Sequence, residues 1–160
     1  MRTAERPLVA RTFALVPSGL LAGAFGYGAV NVLYAFRKVP LDVRFTFHTA
    51  LMSVNGVVMQ SSMGLTILST LVLAIRSTGR SRLLAGSASL LAVAAFLITR
   101  LGNVPINQKI KVWAVSGPPA DYAEILGRWE AFHFARTACA LVAFGLVVVT
   151  TLLPAQQARP

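Results

Sequence analysis

Four stretches of this 160-residue chain are each long enough and apolar enough to cross a bilayer, and that limits what the chain can fold into. They cover residues 13–36, 45–75, 83–101 and 131–153, and their only Asp, Glu, Lys or Arg residues are Arg100 and Arg136. A helix needs ~20 apolar residues to cross the hydrocarbon core. In lipid every backbone polar group must bond within the protein, so such spans are helical. The expectation is an all-α, four-transmembrane-helix bundle, one integral membrane domain over residues 1–160. Residues 45–75 exceed the required length and should tilt or protrude.

Charge supports this class. Charged residues are 12% of the chain, against ~25% in soluble domains. The net charge of +10 would suit a nucleic-acid ligand. The basic residues, however, form no stripe or tail and sit mostly between the spans, which argues against nucleic acid. The short loop with Arg76, Arg80 and Arg82 carries no acidic residue, which places both termini on the cytoplasmic side of an inner or plasma membrane. The first span follows a basic N-terminus but is too long for a signal peptide and ends in Tyr34-Ala-Phe-Arg-Lys38. The single cysteine, Cys139, lies inside a span and allows no intramolecular disulfide.

Residues 102–130 form the one long connection and should make a short helical cap on one face. Asn103 can cap a helix with Pro105 in its first turn, running to about Trp113. Ser116-Gly-Pro-Pro119 then breaks the chain. Asp121 and Glu124 suit the first turn of a new helix that continues into the fourth span. Gly19, Ala22, Gly23, Ala24, Gly26 and Gly28 in the first span, and Ala85 and Ser89 in the third, read as sites of close helix approach.

The polar exceptions share one depth. Asn31 and Tyr34 end the first span and His48 opens the second. Arg100 ends the third, Asn103 and Asn107 follow it, and Arg128, Trp129, His133 and Arg136 lead into the fourth. Antiparallel threading brings them all to the cap side. A charge in hydrocarbon costs ~2.5–3.5 kcal/mol even on insertion scales, so such a cluster reads as a site. Trp129, His133 and Arg136 are spaced i, i+4, i+7 on one stripe, flanked by Phe132. An imidazole held between an indole and a guanidinium suits a general base. Other readings are structural. Trp113 fits an interfacial belt, Arg44 and Arg128 fit headgroup contacts, and Asn55 and Gln60 fit interhelical hydrogen bonds. His48 and His133, at one depth on different helices, could also ligate copper, iron or a haem. No carboxylate or thiolate clearly completes that set, and two arginines oppose a cation. Soluble-enzyme signatures such as G-x-S-x-G or H-E-x-x-H are absent.

Leu101-Gly-Asn-Val-Pro-Ile-Asn107, then Trp113, then Arg128-Trp-Glu-Ala-Phe-His133-Phe-Ala-Arg136, resembles the anthrone oxygenase-like family of small four-span membrane proteins. The specific resemblance covers residues 100–136, and hydropathy matches over nearly the whole chain. It implies an oxidoreductase, a monooxygenase that takes a polyketide anthrone to a quinone with O2 and no cofactor. By that resemblance His133 would take a proton, and Arg136 and Asn103 would stabilise the anion. Trp129 and Phe132 would stack on the ring, with Asn107 and Arg128 beside it; Asn31, Tyr34 and His48, placed at the same depth by the threading of the spans, are further candidate substrate-binding residues. The partners would be a hydrophobic aromatic small molecule, O2 and the lipid bilayer, and a homo-oligomer is compatible. The competing functions are a metal- or haem-binding redox protein and a non-enzymatic lipid- or quinone-binding subunit.

Overall fold

The computed structural model describes residues 2–153, with side chains from Val9 onward. Its helices are α1 (Arg2–Tyr27, continued through Gly28–Val32 and Leu33–Phe36), α2 (Leu41–Arg76), α3 (Gly79–Ile98, continued through Thr99–Asn103 and Val104–Ser116) and α4 (Tyr122–Leu152). All four are long and apolar enough to span a membrane, and no strand occurs among the described residues. The main contacts run α1–α2, α2–α3, α3–α4 and α4–α1, so the helices form a closed square of antiparallel neighbours. Arg11, near the start of α1, reaches the Thr151 carbonyl at the end of α4 and ties the termini side together.

The interior has three tiers. The tier nearest the termini is mostly alanine, with Ala14, Ala85 and Ala88 fully buried around Leu73 and Val147. Small side chains let backbones pack closely where lipid supplies no hydrophobic driving force. Leu21, Phe25, Met63 and Ala140 form the middle tier. The cap tier is bulkier, with Leu33, Phe45, Ile106, Ile110, Trp113, Leu126 and Trp129. Phe13, Leu20, Val57, Leu68, Leu90 and Leu152 face outward, as side chains in contact with lipid should.

Four local features depart from the sequence reading. No break separates the third span from the cap. Asn103 is helical and does not cap, and the helix instead widens into a π-turn over Thr99–Asn103. Pro105 accounts for the position. It has no N–H for the ladder and crowds the preceding turn, so the backbone opens just before it. Trp113 is buried against Phe45, with centroids 5.9 Å apart, and is not an interfacial belt residue. Arg44 is likewise buried: it hydrogen-bonds Glu130 at 3.2 Å and lies 5.5 Å from the Phe36 ring. Among the first-span glycines, Gly19 packs on Phe144 and Gly28 on His133, whereas Gly23 and Gly26 have open space around them.

The break at Ser116–Pro119 occurs as expected. Gly117 takes φ 81°, and its N–H closes the helix onto the Trp113 carbonyl. Glu130 also pairs with Arg37, which anchors the α1–α2 loop to α4. That hydrogen bond, and then the carboxylate charge, hold the Arg37 guanidinium above its ordinary range.

Gly102 lies within the widened turn, where an added Cβ would sit 2.6 Å from Cγ of Phe132. Gly102→Ala should therefore destabilise the bundle by about 1–3 kcal/mol, as overpacking does. A thermal melt in detergent would show it as a lowered midpoint.

Candidate functional site

A cavity of about 300 Å³ lies between all four helices, where the middle tier meets the cap. This is the lower end of the ~300–1,000 Å³ typical of ligand sites. α1 contributes Phe25, Gly28 and Phe36, and α2 contributes His48, Met52, Asn55 and Met59. α3 adds Thr99 and Asn107, and α4 adds Trp129, His133 and Arg136. Both helix irregularities border it: Gly28–Val32 is a π-turn in α1, and Thr99 opens the one in α3. Such turns re-aim side chains and gather at functional sites. At Gly28 the missing side chain makes room for His133, since a Cβ there would lie 3.1 Å from Cε1 and Nε2 of the imidazole.

The α4 stripe is assembled as its spacing predicts. The Trp129 and His133 rings stack at 5.4 Å with an interplanar angle of 2°. Arg136 donates to His133 Nδ1 from Nη2 at 2.8 Å and from Nε at 3.2 Å. Its Nη1 donates to Thr99 Oγ1 at 3.2 Å, and its guanidinium lies 4.5 Å from the Phe25 ring centroid. Among the described residues no carboxylate pairs with Arg136. Guanidinium offers only donors, so Nδ1 accepts, and the neutral His133 ring carries its hydrogen on Nε2. Nε2 is buried and without a partner among the described residues. This arrangement runs against the base expected at His133, because the nitrogen left free is a donor.

His48 joins a second network. Its ring stacks on Phe36 at 5.3 Å and meets Trp129 edge-on at 4.8 Å. Its Nε2 is 3.0 Å from Asn107 Oδ1, which also accepts the Trp129 indole N–H at 2.7 Å.

Other expected site residues lie elsewhere. Asn103 is fully buried, but its Nδ2 donates to the Trp129 carbonyl at 2.9 Å and it does not line the cavity. Its amide holds Trp129 in place. Phe132 packs into the notch at Gly102, off the cavity wall. Asn31, Tyr34 and Arg128 are exposed. Arg100 is exposed too, reaching Gln60 Oε1 at 3.5 Å. On α1 the inward stripe is Gly28, Val32 and Phe36, and Asn31 and Tyr34 lie off it. Asn55 and Gln60 line the cavity, Gln60 while accepting from Arg100 across α2 and α3 as an interhelical residue should, and Phe25, Phe36 and Thr99 line it too. Their signal was weak: apolar or neutral side chains at ordinary helical spacing.

Among the described residues no three His, Cys, Asp or Glu side chains gather into a group that could hold a metal ion. The candidate donors are the two imidazoles, and one His133 nitrogen already faces the Arg136 cation. Catalytic zinc sites, for comparison, use three protein ligands.

A family model described as Anthrone oxygenase matches residues 44–146. The chain belongs to the anthrone oxygenase family. The match takes in the cavity residues of α2, α3 and α4, while the α1 wall lies before it. No curated protein and no solved structure matches the chain. Membership in the anthrone oxygenase family supports a related oxidoreductase-type function.

Proposed function

We propose that the cavity binds a flat polycyclic aromatic with an acidic methylene, an anthrone, and oxidises it to the quinone with O2. The observation that carries this reading is the Arg136–His133 pair on an aromatic-walled cavity. Arg136 holds His133 Nδ1, so Nε2–H is a donor polarised by a nearby positive charge and unpaired among the described residues. That is the equipment to stabilise an oxyanion in a dry site. Phe25, Phe36 and Trp129 supply flat apolar walls.

The chemistry suits such a site. Loss of a methylene proton converts an anthrone into an aromatic, phenolate-type anion. That anion passes one electron to O2, and the resulting radical and superoxide combine to form a C–O bond. The peroxide then loses water to give the quinone. One anthrone and one O2 give one quinone and one water. The residues of this chain hold the ring, stabilise the oxyanion and exclude bulk water. The substrate partitions into the bilayer, which explains an enzyme embedded there, with its termini on the cytoplasmic side by the basic α2–α3 loop.

His133→Leu should lower the rate of O2 uptake with anthrone by about 10²-fold, the loss typical of one oxyanion donor. Uptake should survive a chelator. The reading fails if folded His133→Leu protein consumes O2 at the wild-type rate.

A further inference from the structure

The two cavity histidines present opposite hydrogen-bonding faces, and their partners decide which is which. The indole N–H of Trp129 can only donate, so Asn107 Oδ1, 2.7 Å away, is an acceptor. The Asn107 amide nitrogen accordingly faces the Met52 sulfur at 3.1 Å. His48 Nε2 lies 3.0 Å from the same Oδ1, so it must bring the hydrogen. The neutral ring then carries its proton on Nε2 and keeps a lone pair on Nδ1. Nδ1 is buried and has no hydrogen-bond partner among the described residues. In His133 the arrangement is reversed: Arg136 occupies the lone pair of Nδ1, and Nε2 carries the hydrogen. Among the described residues no Asp or Glu lines the cavity. His48 can receive a proton without losing any hydrogen bond it makes, and His133 cannot.

We propose that His48, through Nδ1, is the proton acceptor of this site, with Asn107 fixing its tautomer and Trp129 orienting Asn107. The proposal rests on the anthrone reading above and assigns the base within it. Nδ1 takes one methylene proton as the C–H bond breaks, and the electron pair enters the ring system, whose oxygen lies at His133 Nε2–H. The His48 imidazolium keeps Nε2–H on Asn107, a bond that strengthens with the charge. After electron transfer to O2 and C–O bond formation, the imidazolium returns its proton to the peroxide. The second C–H proton then goes to Nδ1 as the O–O bond breaks, and the departing hydroxide recovers it as water. His48 ends each cycle as it began.

The test isolates proton removal from O2 chemistry. Full-length protein is given anthrone in D2O without O2, and deuterium entering the methylene is followed by mass spectrometry. Wild-type protein should accelerate exchange. His48→Gln keeps an N–H for Asn107 but has no base, and should lose about 10²-fold or more of that acceleration. It should still bind anthraquinone, and His133→Gln should keep exchange within about 10-fold of wild type, since its side-chain amide still offers an N–H to the oxyanion and the base is untouched. Exchange intact in His48→Gln but lost in His133→Gln would overturn the assignment and leave the anthrone reading standing. Wild-type protein that neither exchanges nor forms quinone would overturn that reading and this assignment with it. A second readout needs no variant. In ¹⁵N-histidine-labelled protein, His48 Nδ1 should resonate as an unprotonated nitrogen and His133 Nε2 as a protonated one. The reverse pattern would overturn the proposal.

Discussion

Arg136→Met should lower quinone formation by about 10³-fold, the upper range for loss of an electrostatic stabiliser, while leaving the bundle assembled. Arg136 does two things at once. Its charge sits behind the oxyanion donor, and its fork on Nδ1 fixes which His133 nitrogen carries hydrogen. Without it His133 can adopt either tautomer and the cavity loses its cation. The fold has less to lose. Among the described residues no carboxylate pairs with Arg136, so no buried ion pair is broken. Arg136→Met removes a buried charge that no carboxylate balances, and the desolvation cost it carried offsets the hydrogen bonds lost at His133 Nδ1 and Thr99 Oγ1. The expected result is an unchanged or raised melting midpoint together with near-complete loss of turnover. A variant that melts early and loses activity in proportion would make Arg136 a structural residue.

Asn107→Leu should act on stability and catalysis together. One oxygen, Oδ1, accepts both the Trp129 indole and His48 Nε2. Leucine fills much the same volume and accepts nothing. Two buried donors then lose their partner, each at about 1–3 kcal/mol, so the bundle should lose about 2–6 kcal/mol. Trp129→Phe removes a donor and leaves His48 its acceptor, so it should cost less than Asn107→Leu. Denaturation of the two variants in the same detergent checks the order. Equal stability of Asn107→Leu and wild type would mean that the shared acceptor contributes nothing to the fold.

Depth was legible in the sequence, and rotation was not. Hydropathy places His48, Asn107, Trp129, His133 and Arg136 at one level, and the structure brings those five side chains around one cavity. Asn31, Tyr34 and Arg128 share that level and point outward. A hydropathy profile reports position along a helix, whereas membership in a site depends on its azimuth. The azimuth is shifted by the two π-turns, which leave no strong mark on composition. Pro105 was the one available clue, and it read more naturally as the second residue of a new helix. The hydrogen-bonding roles of the histidines were further out of reach. They depend on Asn107 and Arg136 as partners, and Asn107 reaches His48 from a different helix. Asn103 shows the converse: its spacing marks it for the site, yet its amide holds the Trp129 carbonyl.

Isotopic oxygen shows whether this protein inserts oxygen from O2 into an anthrone. Purified protein in lipid nanodiscs is given anthrone under ¹⁸O₂, beside a protein-free control and Arg136→Met. Quinone should form well above the control rate, with one heavy oxygen in the quinone and the other in water, and Arg136→Met should stay near the control rate. Quinone formed no faster than in the protein-free control, by protein shown to be folded, would contradict the anthrone reading.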